Sequence, residues 1–217
     1  MVLTQKQENG LKIALERYRL GEKYTCISGY AGTGKSTLIK FIIAAMNLKE
    51  DEVRYVAYTG KAANVLKNKG CHGATTAHKL LYYARLMPNG KYLFKPKTKG
   101  EMMAEGIKVV VVDEISMLPK SIWDLLCSHN FYILACGDPE QLPPVPDGSG
   151  EDPNNHILDE PHIFLDEIMR QAQESEIIRL SMHIREGKPL LTFPAANEQV
   201  MIIRRPELTV PMLTWAD

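Results

Sequence analysis

The chain alternates between short apolar runs and longer segments in which apolar residues recur at helical spacing. Short apolar runs bounded by turn residues predict buried β-strands, whereas apolar residues three and four positions apart predict amphipathic helices. The predicted strands are residues 24–28, 53–58, 108–112, 131–136 and 163–165. The helices predicted between and after them are residues 37–46, 62–69, 75–81, 116–128 and 175–186. Alternating strands and helices predict an α/β fold with a mainly parallel sheet.

Two further segments lie outside this alternation. At the N-terminus, Thr4 is a suitable N-cap for a helix that would stop near Gly21, and Gln7 within this helix is a surface residue by default. In residues 85–95, the Asn-Gly pair at 89–90 separates two extended segments, which is the strongest short signal for a β-hairpin. We expect this basic, aromatic hairpin to be an insertion carried by the sheet.

Composition narrows the class of the protein. The 217 residues are 45% hydrophobic and include 26 basic and 26 acidic residues, so overall charge does not indicate a nucleic-acid binder. The charged residues of segment 85–108 are mostly basic and those of segment 147–176 mostly acidic, which suits either one face that meets a polyanion or two solvated surfaces. The four cysteines form no C-x-x-C pair, and no signal peptide or membrane-spanning run is recognisable. We therefore expect a reducing cytoplasm, without a disulfide framework or a zinc site.

Residues 29–36, Gly-Tyr-Ala-Gly-Thr-Gly-Lys-Ser, match the phosphate-loop pattern G-x-x-x-x-G-K-[ST]. The glycines allow a tight turn whose backbone N–H groups face phosphate oxygens, and the following helix adds its positive N-terminal end. Lys35 is expected to reach the outer phosphates and the Ser36 hydroxyl to bind Mg²⁺. A chance glycine-rich turn is the alternative, which the flanking strand and helix disfavour. The predicted ATP contacts here are Gly29, Gly32, Thr33, Gly34, Lys35, Ser36 and Thr37.

Acidic and amide side chains follow two other predicted strands. Asp113 and Glu114 come directly after residues 108–112, a β-branched run typical of a buried central strand. Because ligands of parallel sheets bind at the carboxyl ends of strands, Asp113 is predicted to hold Mg²⁺ and Glu114 to polarise the attacking water. The alternative is an acid pair that merely begins the next helix. Gln141 follows the next strand in a proline-rich loop, where it could report on the γ-phosphate.

Four polar residues begin predicted helices on or near the same edge of the sheet. They are Thr59, Lys61, Thr76 and His78. Each could contact a ligand, and each could equally cap a helix or face solvent. Taken singly, none of them identifies a site.

The predicted hairpin combines aromatic rings with lysines. Strand alternation places Tyr92 and Phe94 on one face and Leu93 on the other. An aromatic face beside positive charge can stack on a nucleic-acid base while the lysines hold phosphates, which makes Phe94 a candidate DNA contact. The alternative is that the rings pack onto the body of the domain.

Several blocks occur in an order that is specific to one family. They are Leu3-Thr4-x-x-Gln7 and residues 29–37, 57–63, 76–78, 111–117, 137–145 and 169–171. In this order they resemble the first motor domain of superfamily 1 DNA helicases of the RecD-like branch, which includes small phage helicases of the Dda type. The resemblance covers residues 3 to about 187. Asp-Glu-x-Ser-Met and Gly-Asp-x-x-Gln-Leu-Pro-Pro-Val are far more specific than the phosphate loop.

This resemblance implies a three-layer, RecA-like P-loop NTPase fold and assigns a role to each matching position. Gln7 would contact adenine, Gln141 and Arg170 would sense the γ-phosphate, and residues 85–95 would form a wedge that parts duplex ends. The residues implied to lie along single-stranded DNA are Thr59, Lys61, Thr76, His78 and Pro144.

The expected protein is the ATP-binding motor domain of a monomeric 5′-to-3′ DNA helicase from a phage or bacterium, with a direction that rests on the resemblance alone. The expected domains are an ATPase domain at 1–84 and 107–190, an inserted wedge at 85–106, and at 191–217 a linker and the start of a missing second motor domain. Two other classes stay open. A P-loop phosphotransferase would need a substrate lid, and a nucleotide-regulated binding module would gain nothing from a positioned Glu114.

Overall fold

The computed structural model describes residues 3–146, 150–169, 174–194 and 200, and the chain divides into two compact units, residues 1–166 and 167–217. The elements of the first unit are α1 (Gln5–Arg19), β1 (Tyr24–Gly29), α2 (Lys35–Ala45), β2 (Val53–Ala57), α3 (Gly60–Asn68), β3 (Thr75–Thr76), α4 (Ala77–Leu81), β4 (Tyr82–Leu86), β5 (Tyr92–Pro96), α5 (Lys99–Ala104), β6 (Val109–Asp113), α6 (Lys120–Ser128), β7 (Tyr132–Gly137) and β8 (Ile163–Leu165). The second unit contains α7 (Glu176–Arg185). The predicted ATPase domain included α7, whereas the contacts group this helix with the second unit.

Six parallel strands form the sheet of the first unit, in the order β3-β2-β6-β7-β1-β8. Strand β7 lies between β1, which leads into the phosphate loop, and β6, which ends in the acid pair. Since neighbouring strands lie about 4.8 Å apart, β1 and β6 are separated by about 10 Å. The predicted α/β fold with a mainly parallel sheet is confirmed.

Helices cover both faces of this sheet, which gives the three predicted layers. Val110 and Val112 of β6 pack into a core that includes residues of α4 and α6, whereas Val109 and Val111 pack into a second core with α1 and α2. A strand buried on both faces needs apolar residues at every position, which explains the unbroken valine run. These cores hold both β1 and α2, so the loop between them has two anchored ends.

One predicted helix is interrupted. Residues 116–128 were expected to form one helix, but a 3₁₀ turn at Ile115–Met117 is followed by an extended Leu118 and by α6, with Pro119 as its N-cap. The proline disfavours helical geometry at the residue before it, and its own fixed φ suits the start of a helix. The first turn and α6 are therefore separate elements.

The predicted hairpin is present and is separate from the main sheet. Strands β4 and β5 pair antiparallel, with Tyr82 opposite Pro96 and Leu86 opposite Tyr92. Helix α5 follows and was not predicted, although the capping box between Thr98 and Glu101 is a local signal for its start. The inserted segment is thus a hairpin followed by a short helix.

In the second unit, α7 forms where a helix was predicted, but its burial differs from the expectation. Helical periodicity of apolar residues predicts that Ile177 and Ile184 face a core, but both are exposed, whereas Glu176 is buried. Periodicity therefore predicts this helix correctly but not the surroundings of its side chains. Among the described helices, none is long and apolar enough to cross a membrane.

Candidate nucleotide and nucleic-acid site

The phosphate loop joins the end of β1 to the start of α2, and its glycines are required by geometry. Gly32 and Gly34 have φ of 79° and 83°, a region that favours glycine. At Gly29, a Cβ atom would lie 2.4 Å from the carbonyl oxygen of Leu165, so no larger residue fits without displacement. The loop thus has the tight turn that phosphate binding needs.

Two loop side chains stabilise the turn itself. The Lys35 ammonium donates to the carbonyl oxygens of Gly29 and Tyr30, at 2.5 and 2.9 Å. The Thr33 hydroxyl donates to the carbonyl of Tyr30 at 2.8 Å, and Thr33 is buried. Ser36 is exposed and Thr37 is half-buried, and both lie in the first turn of α2.

Gln7 is not the surface residue expected by default, because only 1% of it is exposed. Its Oε1 accepts from the backbone N–H of Thr4 at 3.0 Å, and its Nε2 donates to the carbonyl of Thr33 at 3.3 Å. The Gln7 amide therefore links the N-terminus of α1 to the phosphate loop. Its contact with adenine stays a prediction.

The acid pair lies where β6 ends. Asp113 and Ser36 line the same cavity, of about 200 Å³, so the two predicted magnesium ligands face a common space. The Asp113 Oδ1 atom accepts from the backbone N–H of Glu114 at 3.1 Å and from the thiol of Cys136 at 3.0 Å. Glu114 has a left-handed backbone, with φ of 55°, which turns the chain sharply after the strand.

The surroundings of Glu114 show that several predicted catalytic residues are neighbours. Burial raises the pKa of the Glu114 carboxyl, and the negative charges of Asp113 and Asp138 raise it further, whereas Lys35 and a hydrogen bond from the Gln141 side chain lower it. The structure thus brings Lys35, Asp113, Glu114 and Gln141 together. Arg170 lies outside the described residues.

Sequence reasoning gave no role to two residues of this site. Asp138 is almost fully buried next to Glu114, and its Oδ1 accepts from the backbone N–H of Glu140 at 3.0 Å. Burial and the charge of Asp113 raise the pKa of the Cys136 thiol well above its ordinary value, so it stays protonated and can donate. The position of Asp138 directly after β7, at the ligand edge of the sheet, was a signal for its role. Cys136 lies within the strand, and no sequence pattern distinguishes it from other strand residues.

The candidate DNA residues lie at the same edge of the sheet. Ala57, the last residue of β2, pairs with Thr76 on one side and with Asp113 on the other. Thr59 caps α3 and Thr76 caps α4, each through its side-chain oxygen at 3.2 Å from a backbone N–H. Both threonines therefore cap helices, which was the alternative to a ligand contact. Lys61 and His78 are exposed.

Five rings extend from this edge onto the hairpin, and we call them the aromatic row: Tyr58, His78, Tyr82, Phe94 and Tyr92. Successive ring centroids lie 5.9, 5.7, 6.4 and 6.3 Å apart. Phe94 is 52% exposed, so its ring contacts the row and still presents a surface to solvent. The sequence identified three members of this row, and Tyr58 and Tyr82 were missed.

The loop after β7 presents other side chains than expected. Pro144 is buried, so its ring is not displayed to solvent. Leu142 and Val145 beside it are strongly exposed. The implied contact between Pro144 and single-stranded DNA stays a prediction.

A phosphate loop between a central strand and a helix, with an acid pair at the end of another central strand, defines a P-loop NTPase domain. The model of the AAA domain family matches residues 3–205, and the chain therefore belongs to this family.

Curated relatives narrow the class further. The chain is 26% identical over 191 residues to the ATP-dependent DNA helicase dda of Enterobacteria phage T4, an alignment that covers 86% of this chain and 43% of the relative. It is 30% identical over 172 residues to the ATP-dependent RecD2 DNA helicase of Deinococcus radiodurans, covering 77% of this chain and 22% of the relative. The resemblance to RecD-like superfamily 1 motor domains is confirmed, and the chain spans less than half the length of these relatives.

Solved structures agree on the fold. Pif1 from Bacteroides, bound to single-stranded DNA, matches 87% of this chain and 47% of its own with a TM-score of 0.58 at 22% identity. Pif1 helicase from Candida albicans matches 87% of this chain and 45% of its own with a TM-score of 0.55 at 24% identity.

Proposed function

We propose that this chain is the first motor domain of an ATP-dependent DNA helicase that moves 5′-to-3′ along single-stranded DNA. The observation that carries the proposal is that Lys35, Asp113, Glu114 and Gln141 gather at the sheet edge from which the aromatic row begins. The dda and RecD2 relatives are named ATP-dependent DNA helicases, and the Bacteroides Pif1 structure is described as bound to single-stranded DNA, which supports these substrates.

The residues of the site fit Mg-ATP, which would supply the phosphoryl group whose transfer to water drives movement. Ser36 and Asp113 offer hard oxygen atoms to one cavity, as Mg²⁺ prefers. Lys35 would move from the loop carbonyls to the outer phosphates. The raised pKa of Glu114 would make its carboxylate a stronger base toward the attacking water. Gln141, a hydrogen-bond partner of Glu114, would sense the γ-phosphate.

The remaining assignments follow the resemblance. Gln7 would contact adenine, and Arg170 would sense the γ-phosphate. The loop glycines would present backbone N–H groups to phosphate oxygens.

For DNA, we propose a path along the edge of the sheet. Bases would stack on the aromatic row, while Thr59, Lys61 and Thr76 contact the backbone. The inserted segment proposed at residues 85–106, which contains most of the β4–β5 hairpin and α5, would act as the wedge, with Phe94 at the point where the strand leaves the duplex. The loop that includes Pro144 would border the same path.

The isolated chain should show only part of the activity. We infer that a second motor domain would supply an arginine opposite Lys35. Such arginines contribute about 10³–10⁵ in rate, so their absence would slow hydrolysis strongly. The 217-residue chain should then bind Mg-ATP, hydrolyse it very slowly, bind single strands weakly and not unwind a duplex. The ATPase domain would comprise 1–84 and 107–190, and 191–217 would lead into the second motor domain.

The phage and bacterial relatives support a setting in the cytoplasm of a bacterial cell or a phage-infected host, where the protein would act as a monomer.

The nucleotide assignment is tested by replacing Lys35. Lys35→Ala should abolish Mg-ATP binding in titration calorimetry, because the variant lacks the only proposed cationic contact of the loop. Lys12→Ala, which removes an exposed lysine of α1, is the matched control and should bind like the wild type. Wild-type affinity in Lys35→Ala would refute the phosphate-loop assignment.

Turnover separates the proposal from its two rivals. Glu114→Gln should bind ATP and release no phosphate, because the amide keeps the shape of the side chain and loses the base. Phosphate release by the wild type should rise when oligothymidine is added, which neither a small-molecule kinase nor a binding module without turnover would show.

A further inference from the structure

Cys136 and Asp113 extend from neighbouring positions of two paired strands. The paired register of β6 and β7 ends with Val112 opposite Ala135, and Asp113 and Cys136 are the next residues on each strand. Cys136 faces the core shared with α1 and α2, and only 1% of it is exposed. Its thiol reaches the Oδ1 atom of Asp113 at 3.0 Å.

The two carboxylate oxygens of Asp113 have different surroundings. Oδ1 accepts two hydrogen bonds, from the Cys136 thiol and from the backbone N–H of Glu114. Within the described residues, Oδ2 accepts none. Since Asp113 lines a cavity together with Ser36, a carboxylate held by Oδ1 can keep Oδ2 available for a ligand in that space.

We propose that Cys136 is a positioning residue that fixes the rotation of the Asp113 carboxylate, so that one oxygen faces a divalent cation bound with ATP. This inference rests on the proposed nucleotide site. The thiol is a weak donor, but a bond to an ionised carboxylate is stronger than a neutral one. Both donors to Oδ1 are held in place by the backbone. One is the main-chain N–H of Glu114, and the other is the thiol of Cys136 on the buried strand β7.

The competing explanation is packing alone, since a buried cysteine also behaves as a small hydrophobic residue. Two substitutions separate the explanations. Cys136→Val approximates the shape and removes the donor, whereas Cys136→Ser keeps a donor and is smaller and more polar. If only packing matters, the valine variant should resemble the wild type and the serine variant should be impaired. If positioning matters, the order is reversed.

The measurement is Mg²⁺-dependent ATP binding by the 217-residue chain, with ATP affinity in EDTA as the reference. Partners that orient metal ligands contribute about 10- to 100-fold in metal affinity. We therefore expect Cys136→Val to raise the Mg²⁺ concentration at half-effect about tenfold without changing ATP affinity in EDTA. Cys136→Ser should stay near the wild type. Cys26→Val, a buried cysteine on the other face of the sheet, is the control for core volume and should leave the Mg²⁺ dependence unchanged.

Thermal unfolding establishes that each variant is folded, and Cys136→Ala replaces Cys136→Val if valine is not tolerated. A wild-type Mg²⁺ dependence in the donor-free variant would overturn the proposal, as would equal weakening by Ser and Val. Failure of the proposed function looks different, because then the wild-type chain itself would bind no ATP with or without Mg²⁺.

Discussion

Replacing Phe94 by alanine should weaken binding to single-stranded DNA. Phe94 is 52% exposed, and a phenylalanine side chain can bury roughly 200 Å², so a stacked base could cover at most roughly 100 Å² of the residue. At about 25 cal/mol per Å², this area corresponds to about 2.5 kcal/mol. Alanine substitutions at base-stacking aromatic residues cost about 1–3 kcal/mol. We therefore expect a loss of about 2 kcal/mol, or about 30-fold in Kd.

Leu93 provides the matched control. It is 53% exposed, it neighbours Phe94 on β5, and its side chain points to the opposite face of the hairpin. Leu93→Ala should therefore change the affinity for DNA little, while it perturbs the strand as much as Phe94→Ala does. Fluorescence anisotropy with labelled oligothymidine, at one fixed salt concentration, measures both variants.

Two results would refute the reasoning about the aromatic row. One is wild-type affinity in Phe94→Ala, and the other is an equal loss in Leu93→Ala. In a longer protein that contains this domain, Phe94→Ala should impair unwinding much more than DNA-stimulated ATP hydrolysis. Equal loss of both activities would indicate that the ring supports the fold.

Three further predictions concern a core leucine, a glycine of the phosphate loop and a buried histidine. Leu134→Ala should lower the free energy of unfolding by about 2–5 kcal/mol in urea denaturation, because Leu134 is fully buried in β7. Gly29→Ala should abolish Mg-ATP binding, since its Cβ would meet Leu165, whereas Gly60→Ala, with open space around its Cβ, should bind normally. Burial and the charge of Lys23 lower the pKa of His129 below 6.5, so unfolding takes up a proton at this residue. The free energy of unfolding should fall as the pH drops below about 6.5, and less so in His129→Phe; identical pH profiles would contradict this.

The parts of the site that the sequence predicts are those with local causes. The phosphate loop, the acids after β6 and the hairpin turn each need particular residues at adjacent positions, so their patterns are readable without tertiary structure. Strand β8 likewise occupies the predicted residues, because its short apolar run is bounded by polar segments. Pro119 is a local signal of the same kind, because a proline disfavours helical geometry at the residue before it.

What was missed depends on neighbours distant in the chain. Gln7 is buried because the phosphate loop, 26 residues further on, accepts its hydrogen bond. The Cys136 thiol meets Asp113 only because β7 pairs with β6, a neighbour that no local pattern specifies. Pro144 is buried although its loop is rich in turn residues. Such contacts are set by strand order and by tertiary packing.

The same strand order brings the nucleotide and DNA candidates close together. Ala57 pairs with Asp113 on one side and with Thr76 on the other, so Asp113 and Thr76 are separated by one strand, about 10 Å in all. Glu114 directly follows Asp113, and Tyr58, where the aromatic row begins, directly follows Ala57. Glu114 and the first ring of the row therefore follow paired positions of two neighbouring strands, so the nucleotide and DNA candidates share one edge of the sheet.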